Sequence, residues 1–323
     1  MLILASLASA ACSPLPPRYV PETHRELMRE LLPEVAPGEL VTPFEIDDAL
    51  AAQAIRATRF AVSDRQRTLF LVDALSRPTT GFGLSYIWAR NNSALATARG
   101  GGGTCMGLSS LLIGLLRSLD IEAYYAEARV RPEVRDEGVV QVAAGHIAVV
   151  ALTDAGPIYV DFTGRIAQSS FYRRLSDREA TAHYYNNYGY EILHAAERAG
   201  TPIDWARVRR QFELATRVAP ELAMAWNNDG VASVRLGELD RAEVSYLRAL
   251  DIAPAMRSPR ENLARLRELW LAGDRDAAAA ASRLGELLVE PPREPRPGGE
   301  GAAEPDTATP LATTATEVDS EDD

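Results

Sequence analysis

The sequence predicts an α+β domain followed by an all-α helical-repeat domain and a disordered acidic tail. Three observations carry that expectation. A leucine-rich helix opens at Cys105 after four glycines, and three strand-like segments follow it. The motif Tyr185-Asn186-Asn187 returns as Trp226-Asn227-Asn228 inside a stretch that reads as helix throughout. From Pro291 onward there are six prolines and nine acids against two arginines, too little apolar surface to build a core. At 323 residues the chain suits about two domains of roughly 150 residues each. Its 46% hydrophobic content permits a sizeable core. The expected division is a signal-like segment at 1–12, a tether with N-terminal helices at 13–62, the α+β domain at 63–175, repeats at 176–289 and the tail at 290–323.

Charge and composition exclude several classes. A net charge of −11 disfavours nucleic acid, whose phosphates require a basic face. Residues 291–323 hold −7 of it, so the folded body is nearly neutral. No apolar run reaches the roughly 18–20 residues that span a bilayer, which rules out a multi-span transporter. Two cysteines, Cys12 and Cys105, are too few for a disulfide scaffold, and the four histidines lack zinc-ligand spacing. No metal or cofactor is expected. All 34 basic residues are arginine, a mark of codon bias.

The elements follow in order. Residues 1–12 are apolar and end Leu7-Ala8-Ser9-Ala10-Ala11-Cys12, which resembles the cleavage end of a bacterial lipoprotein signal peptide. Leu is more usual where Ser9 stands, and no basic segment precedes the apolar run. The resemblance implies lipidation of Cys12, a cell-envelope location and membrane contact by lipid anchor only. Pro14, Pro16 and Pro17 suit an extended tether. Helical periodicity runs from about Thr23 to Ala57, and Ser63-Asp64-Arg65-Gln66 is a capping-box signal for a helix to about Leu75. Gly100 to Gly103 break an Ala-rich helix. Leucines 108, 111, 112, 115, 116 and 119 then form one apolar stripe, ended by Asp120, which tolerates the left-handed conformation. Strand-like runs cover 122–130, 139–152 and 157–162, the last two joined by the turn Thr153-Asp154-Ala155-Gly156. Ser176-Asp177-Arg178-Glu179 is a second capping box.

Chemistry concentrates at Cys105. A helix N-terminus stabilises a thiolate, so a lowered thiol pKa is expected there. A general base must handle the proton and a third group must orient that base. His146 lies 41 residues on and Asp161 a further 15, on successive strands. A hairpin turning near Asp154 sets 146 and 161 close to opposite one another.

Arg99-Gly100, Gly103-Thr104-Cys105, the Ser109–Arg117 helix, Ile121-Glu122-Ala123, Gly145-His146 and Tyr159-Val160-Asp161 together resemble the transglutaminase-like superfamily, over about residues 67–174. Asp120 stands where the family usually has Gly, and Gly101 to Gly103 lengthen the approach to the cysteine. The resemblance implies a papain-like fold with Cys105 as nucleophile, His146 as base and Asp161 as orienting residue. The backbone N–H of Cys105 would belong to the oxyanion hole, with Asn91 and Asn92 as candidates for a second donor. Water resolving the thioester makes a hydrolase, and an amine makes a cross-linking transferase. Read singly, each residue has a plain structural role: a small core cysteine, a hydrogen-bonded strand histidine, an aspartate capping a turn. His24, His183 and His194 are read as structural.

Counting Ala223 as position 1 puts Trp226, Gly230, Ala242, Tyr246, Ala249 and Pro254 at the signature positions of the roughly 34-residue tetratricopeptide repeat. An earlier copy fits through Tyr185, Gly189, Phe212, Ala215 and Pro220, with about seven residues inserted near Thr201-Pro202. A looser third copy begins near Arg257. The aromatics are core. Asn187, Asn228 and Asn262 share position 6 on each first helix and resemble an asparagine ladder that binds peptide backbone, an amide being both donor and acceptor. The plain alternative is that these amides bond within their own helix pairs.

The favoured reading is an envelope peptidase or amidase with a repeat groove for a protein or peptide partner. The alternative is a non-catalytic envelope adaptor that binds through its repeats.

Overall fold

The computed structural model describes residues 20–90, 92–128, 134–137, 140–143, 146–162, 172–271, 309–310 and 314–317. At 128, 134–137, 140–143, 146, 172, 269–271, 309–310 and 314–317 it describes the backbone alone. Cys12 and the rest of the signal-like segment lie outside the described residues.

Two helices come first, α1 (Pro21–Leu31) and α2 (Asp48–Thr58), where periodicity suggests one stretch. Pro33, Pro37 and Pro43 lie between them and forbid a continuous helix. α3 (Asp64–Ser76) opens as expected, with Ser63 accepting from Gln66 N–H at 3.2 Å. The Gln66 side chain closes back on Val62 N–H at 2.9 Å, one residue earlier than in a reciprocal box.

The glycine run ends one helix and starts the next segment. α4 (Ala94–Arg99) is capped by Gly100, and β2 (Gly102–Gly103) pairs in parallel with β1 (Ser85–Tyr86). Gly102 has φ +150°, and a Cβ there would stand 2.0 Å from the Ser85 carbonyl oxygen, so only glycine fits. α5 (Cys105–Ser118) follows, with leucines 108, 111, 112, 115 and 116 fully buried. Asp120 leaves it at φ +61°.

The strands are β3 (Ala123–Ala128), β4 (Val134–Glu137), β5 (Val140–Ala143), β6 (His146–Thr153), β7 (Gly156–Asp161) and β8 (Tyr172–Leu175). β4 and β5 form a hairpin of their own. A five-stranded sheet runs β10-β7-β6-β3-β8, where β10 is Thr314–Glu317. α5 packs on it through Ile147, Val149, Ile158 and Val160 in one apolar cluster. The β6–β7 register runs from Thr153↔Gly156 to Val149↔Val160 around a two-residue turn at Asp154-Ala155. Continued by one pair, it sets Asp161 across from Ala148, two positions from His146. The two residues, expected close to opposite one another, are thus diagonal cross-strand neighbours about a turn centred between Asp154 and Ala155.

The tail also departs from expectation. β9 (Thr309–Pro310) pairs antiparallel with β1, and β10 pairs antiparallel with β7, Thr314 facing Asp161. Disorder gives way to pairing here because β7 offers an edge of hydrogen-bonding groups and the two threonines of β10 suit a strand.

The remaining elements are helical: α6 (Asp177–Ala199), α7 (Trp205–Val218), α8 (Ala223–Arg235), α9 (Leu239–Ile252) and α10 (Arg257–Leu271). Ser176 and Glu179 close a complete capping box at the start of α6. The pairs α6/α7 and α8/α9 pack closely because a Cβ on Gly189 would stand 2.7 Å from Phe212, and one on Gly230 2.5 Å from Tyr246. The inserted residues sit differently from the expected loop. Most extend α6 as far as Ala199, and the connection to α7 is only slightly longer than that from α8 to α9.

No boundary in the core falls at residue 175. One cluster joins Met28, Phe44, Leu111 and Tyr125 to Tyr184, Tyr185, Leu214 and Val218. Arg117 of α5 reinforces it, bonding Asp177 at 2.9 and 3.1 Å and the Ala123 carbonyl at 2.9 Å. The segment after α1 is strapped to α7 by Glu34, which accepts from Arg210 at 2.7 Å and from Arg217.

That strap carries a pH prediction. The hydrogen bond from Arg217, with smaller help from Glu34's own backbone N–H and from Arg210, holds the Glu34 carboxyl down at about 2, against an ordinary 4.5. A depressed carboxyl contributes stability above its unfolded pKa and loses it as pH falls towards the folded one. Glu34→Gln should therefore flatten the fall in stability between about pH 5 and about pH 2, measured by denaturant midpoint.

Candidate active site

Three element ends bring the predicted catalytic residues into one neighbourhood. Cys105 is the first residue of α5, His146 the first of β6 and Asp161 the last of β7. The backbone N–H groups of Ile147, Met106 and Cys105 itself lie near enough to favour the Cys105 thiolate. Ile147 is the residue after His146, so the thiol stands against the start of β6. The Ser109 hydroxyl donates to the Ile147 carbonyl at 3.4 Å and ties α5 to the same point. Asp161 is buried, and its charge acts on the thiol. The His146 backbone pairs with Ala128; its side chain lies outside the described residues.

The thiol differs from expectation. Burial is the strongest influence and pushes the Cys105 thiol up. The three N–H groups pull it down and Asp161 pushes it up again, leaving it above its ordinary value. Cys105 is half-buried, and the loss of water around its sulfur outweighs the helix N-terminus. A thiolate at neutral pH therefore requires a cation beside it, the part assigned to His146.

Asn92, a candidate second oxyanion donor, is engaged away from the sulfur. It is buried, its Nδ2 donates to Glu191 Oε2 at 2.7 Å, and its Oδ1 accepts from Thr104 Oγ1 at 2.7 Å. Both ends serve the cap of α5. Asn91 lies outside the described residues. Sequence reasoning missed Glu191, which is 99 residues from Asn92 and signalled only by lying one helical turn beyond Asn187.

The repeat asparagines are brought together, but with one another. Asn262 Nδ2 donates to Asn227 Oδ1 at 3.2 Å, Asn227 to Asn228 at 3.3 Å, Asn228 to Asn186 at 2.9 Å and Asn186 to Asn187 at 3.5 Å. The asparagines expected to bind peptide thus form a row of bonds among themselves. Each doubled asparagine supplies its neighbour's partner, and Asn228, buried, has carbonyl and amide both engaged. Asn228→Ala would strand Asn186 Oδ1 and Asn227 Nδ2. It should cost about 1–3 kcal/mol of stability, read from the denaturant midpoint.

Among the described residues, no group of His, Cys, Asp and Glu is arranged to hold a metal ion, and no helix is long and apolar enough to cross a membrane. Comparison with protein-family models, curated proteins and solved structures gives no match to this chain.

Proposed function

We propose that this chain is a cell-envelope thiol hydrolase of transglutaminase-like type, with Cys105 as nucleophile, His146 as base and Asp161 as the residue orienting it. The observation that carries the reading is the convergence of α5, β6 and β7 on the Cys105 sulfur. In the reaction the thiolate attacks an amide or ester carbonyl. A thioester replaces the C–N or C–O bond, and the leaving amine or alcohol takes a proton from His146. Water then gives a proton to His146 and releases the acid. An amine in place of water would make the product a cross-link.

The helical pairs are read as tetratricopeptide repeats that recruit a protein or peptide partner. The Gly189–Phe212 and Gly230–Tyr246 contacts support this, since small residues there let paired helices approach. With Asn228 engaged in the ladder, side chains beyond the asparagines must carry most of the recognition. The envelope location rests on Cys12. Mass spectrometry of native protein should find no peptide joining Ala8–Ala11 to Cys12.

A second reading has its own observation. The raised Cys105 thiol favours a non-catalytic adaptor in which the α+β unit only supports the repeats. Iodoacetamide at neutral pH separates the two. An active site labels Cys105 in the folded protein faster than an ordinary thiol; an adaptor labels it only on unfolding.

A further inference from the structure

We infer that Glu191, on the first helix of the repeat region, is a positioning residue for Cys105, acting through Asn92 and Thr104. The inference rests on the proposed thiol chemistry and adds to it a part of the site that comes from outside the α+β unit.

The chain of contacts is short. Glu191 Oε2 accepts from Asn92 Nδ2 at 2.7 Å, Asn92 Oδ1 accepts from Thr104 Oγ1 at 2.7 Å, and Thr104 Oγ1 accepts from Gly107 N–H at 3.2 Å. Thr104 is the N-cap of α5, and Cys105 is the next residue. Two of the N–H groups that favour its thiolate, those of Cys105 and Met106, belong to the turn this cap frames.

A carboxylate at the far end decides the polarity of the whole chain. It only accepts, so the Asn92 amide must turn its NH2 towards it and its carbonyl towards Thr104. The hydroxyl must then donate to Asn92, which leaves its lone pairs for Gly107 N–H. Without Glu191 the amide is free to reverse. An NH2 facing Thr104 would compete with Gly107 for the same oxygen and weaken the cap.

The surroundings hold this chain in place. The loop before Asn92 contains Ala89 at φ +51°, an uncommon conformation for a residue with a Cβ. Ala89 is buried in the cluster of Tyr190, Leu193 and Phe212, and Trp88 meets the Tyr190 ring edge-on at 6.4 Å. Tyr190 and Glu191 are adjacent on α6, so one turn of that helix seats the loop and orients its amide. The segment leading to the cysteine is thereby built against the helical repeat region. A partner that moved α6 would act on Cys105.

The test uses the full chain and follows iodoacetamide labelling of the Cys105 peptide by mass spectrometry across pH. Glu191→Ala should move the midpoint of the profile up by about one unit, slowing labelling at neutral pH by about tenfold. Glu191→Gln should stay close to wild type, because its Oε1 still accepts from Asn92. Thr104→Val should match Glu191→Ala, and the double variant should be no slower than the slower single, as expected of residues acting through one path. If wild type labels rapidly and Glu191→Ala keeps its pH midpoint, the positioning role is overturned and the cysteine reading stands. If Glu191→Ala only melts earlier, with labelling unchanged below its transition, Glu191 is a structural contact and the inference is again overturned. If wild-type Cys105 does not label while folded, the thiol chemistry itself fails and the inference falls with it.

Discussion

Cys105→Ala is expected to reduce turnover of any acyl substrate by a factor on the order of 10⁶ while leaving the fold in place. The substitution removes the atom that forms the thioester, and the remaining groups have no bond to make. A small side chain at a half-buried helix start costs little packing, so the melting transition should stay near that of wild type. His146→Ala tests the same site differently. Because burial raises the Cys105 thiol, loss of the imidazolium should leave a thiol that labels only at alkaline pH, its rate climbing as pH rises. The readouts are acyl-enzyme mass after mixing with an activated ester and the pH profile of alkylation. A variant lacking His146 that labels as fast as wild type at neutral pH would remove the histidine from the mechanism.

Tyr246→Ala is expected to cost about 3–5 kcal/mol, the usual range for emptying a buried aromatic site. The ring is almost fully buried and fills the space opposite Gly230, where α8 and α9 meet. Phe212→Ala should cost a similar amount, since it fills the matching space opposite Gly189. The two should differ at the cysteine. Phe212 packs against Gly189 of α6, the helix that carries Tyr190 and Glu191, so its loss should also slow Cys105 labelling below the melting transition. Tyr246 is one helical pair further away, and its loss should leave labelling unchanged at low temperature. Denaturant midpoints and alkylation rates on the same samples check both statements.

Much of this was legible in the residues. The Leu108–Leu116 stripe, the capping residues Ser63 and Ser176, and the left-handed Asp120 are local signals, each set by its neighbours within a turn or two. Hydrophobic alternation and the Thr153–Gly156 turn announced the β6–β7 hairpin. The glycine and aromatic spacing of the helical pairs was readable because their close approach demands a missing Cβ at fixed positions. The exact hairpin register was not, since moving the centre of the turn by one residue shifts the partner of Asp161 by two.

What the sequence by itself determined was the main helices and the strands of the β6–β7 hairpin, and that Cys105 opens a helix while His146 and Asp161 lie on successive strands. Tertiary structure decided the rest. It set the balance at the thiol, because enclosure depends on what packs over a group and outweighed the helix end. It turned the asparagines inward, because Asn186 and Asn227 became their partners only when the helices stacked. It joined Glu191 to Asn92 across 99 residues, and Thr314 to Asp161 across a strand edge. Those contacts have no local signature: a hydrogen bond between distant segments depends on where the chain returns, which packing of the whole core decides.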